Sequence, residues 1–212
     1  MLDEALASGA PTVIVVLSGR PYALGRWADR ADAVVQAFSP GGRPAAYLAP
    51  PLGRHGGPSN IDPTALYPFG HGLSYTTFAW DDPQCEAPEF GTDGEVALKF
   101  TVRNTGERPG TEVVQLYLHD PVGTVARPED RLVGYARVPL DPGASAEVHA
   151  TFPADLAAYT GADGRRVVEP GALELRVAAS SEHVHHTVPL TLTGPVREVG
   201  HDRRMRCELR VK

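Results

Sequence analysis

The feature that most constrains the fold is an alternation of apolar and polar side chains, with a period of two, in the second half of the chain. Segment 95–104 (EVALKFTVRN) shows it clearly, with apolar side chains at Val96, Leu98, Phe100 and Val102. Successive side chains of a β-strand point to opposite faces, so this segment is typical of a strand with one face buried. The pattern predicts an antiparallel sheet.

The same alternation recurs further along the chain, and turn signals separate the repeats. The repeats lie at residues 114–118, 146–152, 173–177 and 188–192. Combinations of Asn, Asp, Pro and Gly typical of tight turns lie at 104–106, 141–143, 163–164 and 170–171. Short alternating strands with this punctuation predict a mainly β fold, an antiparallel β-sandwich of the immunoglobulin or fibronectin type III kind, over residues 77–193.

The beginning of the chain has a different pattern, typical of an α/β domain. Residues 12–17, from Thr12 to Leu17 (TVIVVL), are β-branched and apolar like a buried parallel strand, and 33–38 (AVVQAF) predict a second one. Short helices are predicted at residues 2–7 and 23–30. Two strands and two helices cannot cover both faces of a parallel sheet, so residues 1–38 are interpreted as a truncated α/β remnant.

Two further segments flank the predicted sandwich. Many of the 22 glycines and 20 prolines fall in residues 39–76. Proline lacks a backbone donor and restricts its predecessor, so we expect a Pro/Gly-rich connector that is extended and irregular. After the sandwich, residues 194–212 form a tail in which Met205, Cys207, Leu209 and Val211 alternate with polar side chains. This tail is predicted to add an edge strand.

Charge and hydropathy exclude several classes of partner. The formal net charge of −6 offers no basic surface to a phosphate backbone, so we expect no nucleic acid. The longest apolar run, Val13–Leu17, is far shorter than the roughly 20 residues of a membrane-spanning helix, so no membrane partner is expected. The acidic N-terminus lacks the pattern of a signal peptide, which predicts a cytoplasmic chain or a part cut from a larger one.

The two cysteines indicate neither a disulfide framework nor a metal site. Cys85 and Cys207 are 122 positions apart, and a structural zinc site needs four clustered ligands. We interpret both as free thiols, and we expect no cofactor and no metal.

Segment 67–78 (YPFGHGLSYTTF) carries a distinctive motif. The motif resembles a domain junction of glycoside hydrolase family 3 β-glucosidases and β-xylosidases. In that family the junction lies between an α/β sandwich domain and a C-terminal fibronectin type III-like domain. Upstream, VIVVLSGRPYAL and AVVQAFSPG resemble two strand regions of that α/β domain. Downstream, three segments resemble the sandwich domain: VRNTGERPGTEVVQLYLHDP, RLVGYARVPLDPG and VEPGALELRVAASS. The resemblance makes six residues a structural motif of packing and turns: Tyr67, Pro68, Phe69, Gly70, His71 and Gly72.

The resemblance implies a parent enzyme that hydrolyses terminal β-linked glucose or xylose with retention. In that family an N-terminal (β/α)₈ barrel supplies an Asp nucleophile, and the general acid/base, usually a Glu, comes from upstream of the first strand seen here. Residues 38–51 (FSPGGRPAAYLAPP) also depart from the family pattern, because about one helix and one strand that family members have at this place are missing. The resemblance therefore implies no catalytic residue in this chain.

The carboxylates support the same interpretation. A retaining glycosidase needs two carboxyl groups roughly 5 to 5.5 Å apart. The neighbouring pairs Glu86 with Glu89 and Glu129 with Asp130 lie in no motif that resembles a nucleophile segment, and we expect them to be solvated surface charges.

Arg20 is the candidate substrate-binding residue. It lies in SGRP, directly after the first apolar strand, and open α/β sheets bind ligands at the carboxyl ends of their strands. The family resemblance implies a sugar or interdomain contact for Arg20 only if a barrel partner is present. Without that partner it is a loop arginine.

Histidines and tyrosines give weaker signals. His71 has no accompanying nucleophile motif, so a structural role is favoured over a catalytic one. Three histidines in SEHVHH would need further ligands to hold a metal, and surface histidines are favoured: His183, His185 and His186. Three tyrosines of the sandwich are too few for a carbohydrate-stacking platform, and Tyr117 is expected to point outward: Tyr117, Tyr135 and Tyr159.

The sequence thus predicts a non-catalytic, structural, C-terminal portion of a family 3 glycosidase that is inactive alone. Two alternatives stay open. One is a subunit of a split β-glycosidase, completed by a barrel-bearing chain. The other is a carbohydrate- or protein-interaction module. The apolar strand from Thr12 to Leu17 also predicts self-association, because an uncovered apolar strand pairs readily with a second copy.

Overall fold

The structure is a computed structural model that describes residues 2–17, 24–37, 67–122, 125 and 127–212. Arg20 and most of the predicted connector lie outside the described residues. The chain divides into two compact units, Met1–Pro68 and Phe69–Lys212, so the division falls inside the YPFGHG motif. No helix in the described ranges is long and apolar enough to cross a membrane.

In its described residues, the first unit contains two parallel strands and two short helices. Helix α1 (Leu2–Ala7) precedes strand β1 (Val13–Leu17), and strand β2 (Ala33–Ala37) follows a 3₁₀ helix (Gly25–Arg30). The predicted helix at 23–30 is thus of the tighter 3₁₀ type, which is used in short connecting pieces.

One face of the small parallel sheet is open. Ile14 is buried, whereas Val13, Val15 and Val35 are 57%, 57% and 48% exposed. Parallel sheets are normally covered on both faces. Within its described part the first unit therefore lacks a cover for this apolar face.

The second unit is a β-sandwich with a small additional sheet. Its strands are β3 (Phe78–Trp80), β4 (Gln84–Cys85), β5 (Glu89–Gly91), β6 (Glu95–Asn104), β7 (Gly110–His119), β8 (Asp130–Leu140), β9 (Ser145–Pro153), β10 (Tyr159–Thr160), β11 (Arg166–Val168), β12 (Gly171–Ala178), β13 (Val184–Thr193), β14 (Arg197–Glu198) and β15 (Glu208–Val211). A second 3₁₀ helix, Ala154–Ala157, follows β9. The mainly β fold predicted from the alternation is confirmed.

Two sheets of five strands form the sandwich. One has the order β5-β13-β12-β7-β8, and the other has the order β15-β9-β6-β3 with β4 also pairing with β6. These pairings are antiparallel except for β5 beside β13. The small sheet has the order β10-β11-β14.

The core lies between the two large sheets and follows the predicted alternation. In β6 the four apolar residues of the pattern are buried and their neighbours are more exposed. The neighbouring strand β9 and the strands of the facing sheet contribute further fully buried side chains: Val148 and Phe152 from β9, and Val114, Leu116, Leu175 and Val177 from the facing sheet. The rings of Phe90 and Phe152 meet edge to face, with centroids 6.4 Å apart, an arrangement that aromatic pairs favour.

The tail ties the two sheets together at one edge. Strand β15 pairs with β9, and the Cys207 amide donates to the Val133 carbonyl of β8 at 2.8 Å. Gly134 permits this approach, because a Cβ there would lie 2.6 Å from Leu209 Cδ1 and 3.0 Å from Cys207 Cβ. The C-terminal residues are therefore an integral part of the sandwich.

A fully buried amide, Asn104, joins four segments at one end of the sandwich. Its Nδ2 donates to the carbonyls of Arg108 at 2.8 Å and Leu140 at 3.1 Å. Its Oδ1 accepts from Thr76 Oγ1 at 2.6 Å and from the Gly106 amide at 3.0 Å. Every hydrogen-bonding position on the side chain is thereby used.

The substitution Asn104→Ala should lower the free energy of unfolding by about 3 kcal/mol, since it leaves several buried polar groups without a partner. Urea denaturation followed by circular dichroism measures this loss. The matched control is Thr105→Ala, which removes only an exposed hydroxyl contact with Thr77 and should change stability by about 0.5 kcal/mol or less. Similar losses for the two variants would contradict the importance of the buried amide.

Candidate functional site

From Phe69 onwards the motif segment lies on the outer face of the sheet that contains β7, where its backbone is anchored. We define the junction segment as residues 69–76. The Ser181 amide donates to the Phe69 carbonyl at 2.9 Å, and Gln115 Nε2 donates to the Gly70 carbonyl at 3.3 Å. Strand β7 and the turn after β12 thus hold the start of the segment.

Gly70 is required at its position for two reasons. Its φ of +81° lies in the left-handed region, which side chains other than glycine rarely adopt. A Cβ would also fall 2.2 Å from Gln115 Oε1. The glycine therefore allows the backbone to approach the sheet closely.

The side chains beneath the junction segment are buried. Gln115 also donates to the Ala179 carbonyl, and Tyr117 donates its hydroxyl hydrogen to Gln115 Oε1 at 2.6 Å. Burial, helped by the negative charge of Asp130, raises the pKa of Tyr117 to about 12. Tyr117 lies on the outward side of the sheet, as the alternation predicts, but it is buried there, because the sheet is covered on both faces at this point.

The apolar side chains of the junction segment face solvent although its backbone is fixed. Phe69, Leu73 and Tyr75 are 64%, 94% and 90% exposed. His71 is exposed as well. Exposed apolar side chains grouped on a protein surface mark an interaction site. We call these three apolar residues the junction patch.

Arg176 pairs with two carboxylates on the outer face of the same sheet. Arg176 Nη1 lies 3.0 and 2.9 Å from the two oxygens of Asp130, and Arg176 Nη2 lies 2.9 Å from Glu174 Oε2. The side chain of Asp130 is only 19% exposed, so its prediction as a solvated surface charge is wrong. Glu86, Glu89 and Glu129 are exposed, as expected.

The histidines of the SEHVHH segment lie near a row of aromatic rings that runs outward from the core. Trp80 stacks on Phe100 with centroids 6.1 Å apart and on His185 at 4.4 Å, and His183 lies 4.6 Å beyond His185. His186 Nδ1 lies 3.1 Å from Asp82 Oδ1. No group of three ligands suited to a metal is present among the described residues.

Stacking places His185 in an environment that disfavours its charged form. Burial lowers the pKa of His185, and the neighbouring charges of His183 and His186 lower it further. Among the three histidines, His183 is exposed, whereas His185 and His186 are partly covered.

The remaining candidates carry no shared site. Cys85 and Cys207 are free, as predicted, and burial raises the pKa of the Cys207 thiol to about 12, which leaves it unreactive. Of the three tyrosines considered for sugar stacking, Tyr117 and Tyr159 are buried and Tyr135 is exposed.

Sequence reasoning missed Gln115, the side chain that binds the junction segment. Its position in the alternation assigns it to the solvent side of β7. A signal was present in the motif itself, because Gly70 between aromatic residues indicates a backbone that comes close to another group.

Comparisons with known proteins agree with this architecture. The family model for a fibronectin type III-like domain matches residues 112–181. A β-glucosidase of Rhizobium radiobacter is 41% identical over 140 residues, covering 66% of this chain and 17% of that protein. A β-xylosidase of Formosa agariphila is 30% identical over 208 residues, covering 82% of this chain and 29% of that protein.

A solved β-glucosidase structure from Erythrobacter marinus superposes with a TM-score of 0.73 and 32% identity, covering 90% of this chain and 29% of that one. The chain therefore spans less than a third of the length of each of these three proteins.

Gly70→Ala should loosen the junction segment, because Ala in a left-handed conformation costs about 1–2 kcal/mol and its Cβ displaces Gln115. Amide hydrogen exchange at Ser181 should accelerate, since this amide donates to Phe69. The control is Gly72→Ala, where a Cβ has nothing within 4 Å. Equal exchange rates in the two variants would refute the docking role of Gly70.

Stability should fall as the pH is lowered from 7 to 5, in part through His185. Its pKa is lowered in the folded state, so the unfolded chain binds the proton first when the pH falls through about 6.5. His185→Phe keeps a stacked ring without a charge and should flatten this decline in melting temperature. The exposed His201→Gln should keep the wild-type decline, and a decline as steep in His185→Phe would contradict the assignment.

Proposed function

We propose that this chain is a non-catalytic portion of a retaining β-glycosidase. The chain belongs to glycoside hydrolase family 3, and it corresponds to the C-terminal part of a β-glucosidase or β-xylosidase. The whole enzyme would act on terminal β-linked glucose or xylose. The role of this portion is to complete and stabilise the enzyme, while its catalytic carboxylates come from the remaining part.

The junction patch carries this proposal. Gln115 and Ser181 hold the backbone at Phe69 and Gly70, and Asn104 holds Thr76. The exposed side chains of Leu73 and Tyr75 lie between these anchors. Burying a side chain of this kind stabilises by roughly 1.5–3 kcal/mol, and a fixed backbone reduces the entropy lost on association. The patch suits a permanent contact with another part of the enzyme.

The first unit presents a second uncovered surface. Val13, Val15 and Val35 lie on the open face of its two-stranded parallel sheet. Further helices and strands would cover this face in a complete α/β domain. Either the rest of a longer polypeptide or a separate barrel-bearing chain would supply this cover.

The proposal predicts no hydrolysis of aryl β-glucosides or β-xylosides by this chain alone and a gain of hydrolysis on complementation. The complementing protein is the Rhizobium radiobacter β-glucosidase without the segment that aligns with this chain. Hydrolysis and co-elution should appear only in the mixture. Hydrolysis by this chain alone would refute the non-catalytic role, and a mixture without activity or co-elution would refute complementation.

Variants of the junction patch sharpen the same experiment. Leu73→Ser and Tyr75→Ser should each weaken complementation at least tenfold, which corresponds to about 1.4 kcal/mol, without lowering the melting temperature of this chain. The control is Val122→Ser, an equally simple change at a side chain that is 85% exposed. Unchanged complementation in both patch variants would exclude the junction patch as the contact.

Self-association is a competing use of the open face in the first unit. A dimer in light scattering that Val15→Lys dissociates would assign that face to a second copy of this chain.

A further inference from the structure

The outer edge of strand β8 faces a groove. Among the described strands β8 pairs with β7 alone and therefore ends its sheet. Residues 132–137 of β8 form one wall of the groove, and residues 205–210, which include the start of β15, form the other. The volume between the walls is about 630 Å³. We call this space the edge groove. The proposed function does not use it.

The pairing of β8 with β7 determines which backbone groups point into the edge groove. In an antiparallel pair, every second residue turns its N–H and its C=O away from the partner strand. Val113 of β7 is such a residue, because its amide donates to Glu112 Oε1 at 2.8 Å rather than to β8. Its partner in the register is Arg137. The backbone N–H and C=O of Arg137 therefore point away from β7 and into the groove.

The same direction recurs at every second residue of β8. The Val133 carbonyl points into the groove, since it accepts from the Cys207 amide at 2.8 Å. Pro139 fits this assignment, because proline lacks an N–H and is tolerated where that position faces away from the ladder. Between them, Tyr135 and Arg137 each offer one N–H and one C=O. These groups bind none of the described residues, and they repeat at roughly 7 Å, the spacing of alternate residues in a strand.

The edge groove carries positive charge. Its lining includes three exposed arginines, Arg137, Arg206 and Arg210. Glu208 is the one acidic residue of the lining, and its Oε2 lies 3.6 Å from Arg210 Nη2. Arg137 and Arg206 form no ion pair with a described carboxylate. The groove is thus basic on a chain whose formal net charge is −6.

The base of the edge groove is apolar. Gly134 has no side chain there, and Leu209, which packs against the core, lies beside it. Met205 adds an apolar side chain that is 67% exposed. Side chains of a strand alternate between its two faces. A strand laid beside β8 would therefore place one set of side chains over this base and the other set beside Arg137.

We propose that the edge groove binds an extended peptide segment of another protein, in which acidic and apolar residues alternate. The segment adds a strand to β8, and its backbone hydrogen-bonds Tyr135 and Arg137, as in other complexes formed by strand addition. Its carboxylates pair with Arg137 and Arg206 through charge-assisted hydrogen bonds. Its apolar side chains cover the base of the groove.

The same features disfavour other occupants. A polyanion without a peptide backbone would leave the carbonyls of Tyr135 and Arg137 without a donor. A second copy of β8 would bring two Arg137 side chains into one groove, and like charges on neighbouring strands destabilise their pairing. An acidic peptide strand satisfies both the backbone groups and the charge.

The test is fluorescence anisotropy with the full chain and the labelled heptapeptide VEVEVEV. Binding should be saturable, and the peptide VKVKVKV should bind more weakly by about tenfold or more. Arg137→Glu should weaken binding of VEVEVEV by about tenfold or more and strengthen binding of VKVKVKV. Arg103→Glu, at an exposed arginine of β6, is the matched control and should bind both peptides like the wild type.

A second pair of variants tests the backbone contact. Tyr135→Pro removes the ring and the N–H that points into the groove, whereas Tyr135→Thr removes the ring and keeps the N–H. Neither change interrupts the ladder with β7, so both variants should keep a melting temperature close to that of the wild type. Tyr135→Pro should bind VEVEVEV about fivefold more weakly than Tyr135→Thr, as the loss of one hydrogen bond predicts.

Several results would overturn the proposal. They are the lack of saturable binding by the wild type, equal affinity for the two peptides, equal losses in Arg137→Glu and Arg103→Glu, and equal binding by the two Tyr135 variants. A dimer in light scattering that Tyr135→Pro dissociates would assign the edge to a second copy instead. Leu73→Ser, in the junction patch, should bind VEVEVEV like the wild type, so a failure of complementation and a failure of peptide binding are distinguishable.

Discussion

The buried side chain of Asn104 determines how the ends of the strands meet, and much of the second unit depends on it. Its amide group binds Thr76 and the backbone at Gly106, Arg108 and Leu140. One side chain thus fixes the end of the junction segment, the turn before β7 and the end of β8. An aspartate could not replace it, because the carbonyls of Arg108 and Leu140 need a donor.

The junction segment is consequently held at both ends by polar contacts and left free in the middle. Asn104 holds Thr76, and Gln115 with Ser181 holds Phe69 and Gly70. Leu73 and Tyr75 lie between these anchors and are exposed. This arrangement keeps an apolar surface ordered without burying it, which is the arrangement expected of a preformed contact surface.

How far the sequence predicts the structure depends on what covers each strand. Alternation identifies β6 because one of its faces is buried and the other is more exposed, a property that the local sequence records. The same reasoning does not reveal that Tyr117 is buried, since a segment more than forty positions earlier lies on the outer face of β7. Asp130 is misjudged for a related reason, because Arg176, its partner, is 46 positions away. Local patterns predict the strands, whereas the contacts on their outer faces depend on tertiary packing.

The junction patch conflicts with the stability of the second unit taken by itself, because it leaves apolar side chains in water. Natural sequences are locally consistent except where function requires otherwise. An exposed apolar surface is satisfied by another polypeptide. The patch is therefore better explained by a contact outside this unit than by the packing of the unit itself.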